Sequence, residues 1–426
     1  MNVYDAAIQR MQVIFRDFDN VYVSFSGGKD SGVLLNLTLH YAKQIGRRIS
    51  VFHIDYEAQY QMTTEYVKTT LDKFRNQVDV YHCCMPLAVP SCTSMSKSYW
   101  IPWDKGERDI WVRNLPDICV HEDNHEFDFF KYGMSDYEFQ EKFSSWIHRK
   151  NDAKRTACLV GIRTQESLNR WRSLHSDNNY DAHGGFNWTR KMSDGVYNCY
   201  PIYDWTTEDI WTANGKFKWN YNKLYDLFYQ AGVSVDQMRV ASPFIEQGIS
   251  SLKLYRVIEP NTWAKLIGRV NGVNFSGIYG GTTAMGWKSI VLPKGHSWKS
   301  YYEFLLSTLP SDTATNYSKK FETSVQFWRK RGGCLSRETI QKLKDRHIEF
   351  AIKSDTNYST DKLPVTMEYQ DDIDISEFKE IPTYKRMCVC IMKNDHLCKY
   401  MGFSLTKSET EIRRSAMERY DAKSGL

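Results

Sequence analysis

Residues 24–31 read SFSGGKDS, with the apolar run Val21-Tyr22-Val23 directly ahead and GVLLNLTLHYAKQIG, residues 32–46, directly behind. The run ahead suits a buried strand, and the residues behind repeat apolar positions at helical spacing and stop at Gly46. A phosphate loop of the G-x-x-x-x-G-K-[ST] type needs four residues between its glycines. Here Gly27 and Gly28 are adjacent, so that loop is excluded. What remains is a tight strand-to-helix turn whose successive backbone N–H groups can face one anion beside the positive end of a helix. Ser26 and Ser31 add hydroxyls, Lys29 adds a point charge read as an exposed loop lysine, and Ser24 and Asp30 complete the candidate loop. Ser, Gly and Asp are also ordinary turn residues. The complete octapeptide between a strand and a helix is what favours phosphate.

Working outward, residues 5–16 read as an amphipathic helix, ISVFHID (49–55) as a second strand, TTEYVKTTLDKF (63–74) as a helix and VDVYHC (78–83) as a third strand. Strands alternating with helices predict an α/β fold: a parallel sheet with helices on both faces. The rhythm is lost from Met85 to about Asn151, expected to be an insertion over the sheet edge, and returns with TACLVGIR (156–163). GVYNCYPIYDW (195–205) reads as one more strand, and Thr206 as the cap of a helix whose first turn holds Glu208 and Asp209. The first domain is expected to span 1–235. A second, mainly helical domain, 236–426, is expected from IEPNTWAKLIGRVNG and SWKSYYEFLLSTLP.

The 426 residues suit two such domains. With 42% hydrophobic and 25% charged residues, and no apolar run near the ~20 residues needed to cross a bilayer, the composition is that of a globular protein and not of a membrane protein. The N-terminus has neither the basic start nor the apolar stretch of a secretory signal, so a cytoplasmic location is expected. Ten cysteines are too few for a disulfide scaffold. The net charge of +5, with 13 Trp, 27 Tyr and 21 Phe, is compatible with nucleotide or nucleic-acid contact, and oligomer formation is equally open.

The octapeptide resembles the pyrophosphate loop (PP-loop) of the N-type ATP pyrophosphatases and the phosphoadenosine phosphosulfate (PAPS) reductases. The resemblance implies an adenine nucleotide alpha-hydrolase-like fold, ATP or PAPS with Mg²⁺ as ligands, and a loop that holds the β- and γ-phosphates while the α-phosphate is attacked. Lys29, Asp30 and Arg163 are then the catalytic candidates. In HIDYE, Asp55 takes the position at which family members place nucleotide or metal, making it the candidate Mg²⁺ ligand. GIRTQESLNRWR (161–172) resembles the family's Gly-x-Arg-x-x-Glu-Ser segment followed by further arginines, which adds Glu166, Ser167, Arg170 and Arg172. YPIYDWTTEDIW (200–211) resembles a stretch that closes the fold around the site.

A PAPS reductase needs a redox cysteine on its C-terminal tail, and MERYDAKSGL has none, so thioredoxin-linked reduction is not expected. Cys388, Cys390, Cys398 and His396 lack a second C-x2-C pair and read as core thiols rather than metal ligands. The second half resembles the domain of unknown function of IbrA-like proteins, which implies a ParB/sulfiredoxin-like (IbrB-like) partner and a prophage-linked regulatory or defence role. Three functions follow: ATP-dependent adenylation of an acceptor, nucleotide sensing without turnover, and sulfur transfer on nucleic acid.

Overall fold

The computed structural model describes residues 2–166, 182–235, 238–240, 242–245, 249–279, 292–353, 362–375 and 380–403. The chain divides into two compact units: Met1–Val89 with Trp100–Pro243 and Leu254–Arg269, and Pro90–Tyr99 with Phe244–Lys253 and Val270–Leu426.

The first unit opens with helix α1 (Val3–Asp17), whose Ala7, Met11, Ile14 and Phe15 are buried along one face. Strand β1 (Asn20–Ser24) leads through the SFSGGKDS turn into α2 (Lys29–Gln44). Then come β2 (Ile49–Ile54), α3 (Gln61–Phe74), β3 (Val78–Cys84), β4 (Val120–His121), α4 (Asp136–Lys150), β5 (Thr156–Val160), β6 (Thr189–Ser193) and β7 (Val196–Cys199). The unit continues with α5 (Thr207–Phe217), α6 (Leu224–Gln230) and α7 (Pro260–Arg269).

The seven strands form one sheet in the order β4-β3-β2-β1-β5-β7-β6. Every pairing is parallel except β6 with β7, an antiparallel edge that the sequence did not announce. β1 is buried at all but its last position and β2 at every position, because both of their faces are covered. Val21, Val23 and Val51 enter one core with α1, α2 and α3. Tyr22 and Phe52 point the other way and meet Phe143 of α4, with the Phe52 and Phe143 rings stacked at 3.9 Å. The stretch expected to be an insertion over the sheet edge thus contains a helix that covers the central strands, with Phe139, Phe143, Trp146 and Ile147 on its buried face. Thr206 caps α5 as expected: its hydroxyl accepts from Asp209 N–H while Asp209 accepts from Thr206 N–H.

The second unit contains α8 (Trp298–Thr308), α9 (Ser311–Lys330), α10 (Arg337–Asp345) and α11 (Tyr384–Met392). It also has a three-stranded antiparallel sheet, with β10 (Leu363–Met367) between β8 (Gly333–Leu335) and β9 (Phe350–Ile352). Cys388, Cys390 and Cys398 are buried. The His396 ring stacks on Tyr317, and its Nε2 lies 2.9 Å from the Ser94 carbonyl. Among the described residues no set of three metal-ligating atoms converges there.

Candidate functional site

The chain leaves β1, builds β2, β3 and β4 to one side, and returns to place β5 on the other side of β1. In an open α/β sheet that reversal leaves a crevice beyond the carboxyl ends of the two central strands. Both sequence-predicted segments emerge there, since Ser24 ends β1 directly opposite Val160, the last residue of β5. Gly161 lets them meet: a Cβ on it would come within 3.0 Å of Ser31 N and 3.1 Å of the Asp30 carbonyl carbon.

The loop is tightly braced. Gly27 has φ +75°, and a Cβ there would lie 2.8 Å from Val67 Cγ2, so both backbone and space require glycine. The hydroxyls of Ser26 and Ser31 are 3.0 Å apart, and Ser31 donates to the Gly28 carbonyl. Two residues that sequence spacing could not connect to the loop also hold it. Asn222 donates to the Gly27 carbonyl at 3.1 Å and to Thr63, and the Tyr225 hydroxyl accepts the Lys29 N–H at 3.1 Å. Gly28 caps α2 with no side-chain hydrogen bond of its own; its N–H goes to Ser26 Oγ at 3.4 Å and that of Lys29 to Tyr225, so what the helix start brings to the site is the positive end of its dipole.

Lys29 is buried, not exposed as expected, and its Nζ lies 3.0 Å from Asp30 Oδ2. Burial pulls the Lys29 pKa below the ordinary lysine value, and the Asp30 carboxylate offsets this only in part. Asp30 also accepts from Arg163 Nε at 2.6 Å. Arg163, 1% exposed, donates its Nη1 to Gln165 and to the Trp205 carbonyl, and its Nη2 lies 3.8 Å from Glu166. The PIYDW segment therefore supports the site by holding this guanidinium.

Lys29, Arg163, Gln165, Glu166, Thr207, Met238 and Arg239 line a pocket of about 290 Å³. Arg239 was missed by sequence reasoning because nothing near it in sequence resembles a phosphate motif. Its Nη2 donates to the Glu166 carbonyl at 3.4 Å, and among the described residues it pairs with no carboxylate. Three cations around one pocket at a helix start suit an anion. Ser167, Arg170 and Arg172 lie outside the described residues.

Asp55 is elsewhere. It does not line the pocket, and at 1% exposure it is held by the Arg113 guanidinium and Glu57 N–H on Oδ1 and by His82 Nε2 at 2.9 Å on Oδ2. Burial opposes its charge, but Arg113 and His82 outweigh burial and hold the carboxyl well below the usual carboxylate range. In the pocket itself Asp30 is already engaged by two cations, so the described side chains do not form a ready magnesium cage, and phosphate oxygens would have to supply ligands.

The uncharacterized protein YbdN of Escherichia coli (strain K12) is 33% identical to this chain over 418 residues, which is 97% of this chain and 93% of that protein. The chain belongs to the YbdN family. Along it, the phosphoadenosine phosphosulfate reductase domain matches residues 20–88 and 115–231, and a domain of unknown function, DUF3440, matches 232–412. Its first unit is accordingly an adenine nucleotide alpha-hydrolase-like domain of the PP-loop superfamily. Similar solved structures include PAPS reductase from Candida auris in a phosphate complex (13% identity, TM-score 0.31, 53% of this chain and 85% of that one). Others are FMN adenylyltransferase from Candida glabrata with FMN and an ATP analogue (14%, 0.31, 52% and 60%) and the U34-tRNA thiolase NcsA from Methanococcus maripaludis (11%, 0.30, 63% and 80%). In this YbdN-family chain the loop and Arg163 fall inside the reductase-domain match, whereas Met238 and Arg239 fall inside DUF3440. No helix among the described residues is long and apolar enough to cross a membrane.

Proposed function

We propose that this protein is an ATP alpha-hydrolase that activates an acceptor by adenylation and releases pyrophosphate. The observation that carries this reading is the convergence of Lys29, which directly follows the Gly27-Gly28 turn, with Arg163 and Arg239 on one pocket at the sheet's reversal point. The loop N–H groups and the start of α2 hold the β- and γ-phosphates, and Lys29 and Arg239 supply charge. Arg163 faces the α-phosphate, where charge develops. An acceptor nucleophile attacks the α-phosphorus, the bond to the β-phosphate's bridging oxygen breaks, and pyrophosphate leaves with that electron pair. The acceptor gains AMP and loses a proton to solvent. Mg²⁺ would neutralise the phosphate chain. Asp30 positions Lys29 and Arg163, and its pairing with both must loosen when phosphate arrives.

This double pairing also gives the nucleotide-sensor reading a physical basis, because ligand and Asp30 compete for the same two cations. PAPS would present a comparable anion, and a nucleic-acid acceptor would make the protein a sulfur- or nucleotide-transfer enzyme on that substrate. A ParB/sulfiredoxin-like (IbrB-like) protein, with a phage-related regulatory or defence role, completes the proposal as the partner that activates turnover. ATP labelled at the α- or γ-phosphate, incubated with the protein alone and with that partner, tests the reaction. AMP, free or bound to an acceptor, together with pyrophosphate is expected. ADP and orthophosphate would overturn the mechanism, and tight binding with no product under either condition would establish the sensor instead.

A further inference from the structure

Away from the pocket, His53, Asp55 and His82 form a second cluster in the first unit: one ligand atom from each lies within 4.8 Å of the others. All three are buried, with exposures of 2%, 1% and 7%. The sheet assembles the cluster. β2 and β3 run parallel with His53 directly opposite His82, so two imidazoles from adjacent strands project from the same face, with ring centroids 5.1 Å apart. Asp55 follows immediately after β2.

The surrounding bonds prepare these groups as ligands. His53 Nδ1 lies 2.7 Å from the Phe25 carbonyl, which can only accept, so in the neutral ring Nδ1 carries the hydrogen and Nε2 keeps its lone pair. Asp55 Oδ1 is held by Arg113 and by Glu57 N–H, which leaves Oδ2 directed at His82. Metal-binding imidazoles and carboxylates are commonly fixed in this way by outer carbonyl and N–H partners. Two imidazole nitrogens and one carboxylate oxygen suit zinc and its first-row neighbours, whereas magnesium demands an oxygen octahedron.

We propose that His53, Asp55 and His82 bind one divalent first-row transition ion, Zn²⁺ or a close relative, with the fourth coordination position open to a water or another small donor. The site is separate from the proposed nucleotide pocket and does not depend on that reading. Binding replaces the hydrogen bond between His82 Nε2 and Asp55 Oδ2 with two bonds to the ion, and any proton on His82 Nε2 is released to solvent.

The untagged full-length chain, loaded with Zn²⁺ and passed through gel filtration, should carry one zinc per chain by elemental analysis. Zinc X-ray absorption on that sample should show nitrogen and oxygen neighbours at about 2.0–2.2 Å with the scattering pattern of imidazole. In competition with a chromophoric chelator, His53→Gln and His82→Gln should each weaken zinc by more than the roughly 10–100-fold that loss of an outer partner costs. Absence of stoichiometric zinc would show that the three residues form only a closed hydrogen-bond network and would overturn the proposal. A sulfur shell at about 2.3 Å would place the ion on cysteines and overturn it equally. Zinc content and absorption are both measured on the unaltered protein, so neither result depends on how the variants fold.

Discussion

Arg163 and Lys29 carry similar charge but do different work. The Arg163 fork is spread over Asp30, Gln165, the Trp205 carbonyl and the Glu166 side. A lysine could keep only one of these bonds, so Arg163→Lys should reduce ATP binding or turnover by roughly 10–100-fold, the loss expected for one or two charge-assisted hydrogen bonds. Equal activity would mean that Arg163 only braces the fold. Arg239 makes one long bond to a carbonyl, so Arg239→Ala should weaken ATP measurably in calorimetry while leaving the melting temperature within about 2 °C of the parent. Lys29 adds a pH dependence. Its folded pKa is depressed, and only the cation attracts phosphate, so ATP affinity should fall as pH rises through a value below that of ordinary lysine. A Lys29→Ala variant should lose that alkaline limb along with most binding.

At the scale of elements, the loop depends on partners far away in sequence. Asn222, fully buried, ties the Gly27 carbonyl to Thr63 of α3. Asn222→Ala should cost about 1–3 kcal/mol in chemical denaturation, because the Gly27 carbonyl is left without that partner. Gly27→Ala adds a left-handed backbone penalty of about 1–2 kcal/mol to the contact with Val67, and should also impair ATP binding. The strand, α2 and the Thr206 cap were legible because each is written in adjacent residues, and the loop and Arg163 because their segments resemble the family's motifs. Asn222, Tyr225 and Arg239 were not, since only the folded chain brings them to the loop. α4 was missed although Phe139, Phe143, Trp146 and Ile147 have helical spacing, because the surrounding charge hides the pattern. The short antiparallel strands β8, β9 and β10 give too few alternating residues to read.

At the scale of the whole molecule, the sequence boundary near 235 and the compact first unit are different objects. Arg269, at the end of α7, makes a two-pronged pair with Glu57, at 2.8 and 2.9 Å, and both are buried. A chain cut after residue 235 would leave Glu57 buried without its counter-charge and would remove Arg239 as well. Loss of one partner of a buried pair costs about 3–5 kcal/mol, so this fragment should melt at lower temperature than the full chain or fail to fold. A fragment as stable as the whole would refute that account. The same uncut chain, given PAPS and thioredoxin, should release no sulfite. Asp30 has one more consequence. A pocket that keeps an internal anion beside two of its three cations meets an arriving polyphosphate with part of its positive charge already neutralised. ATP affinity should therefore decline with added salt less steeply than three bare cations would dictate, and Asp30→Asn should steepen that decline.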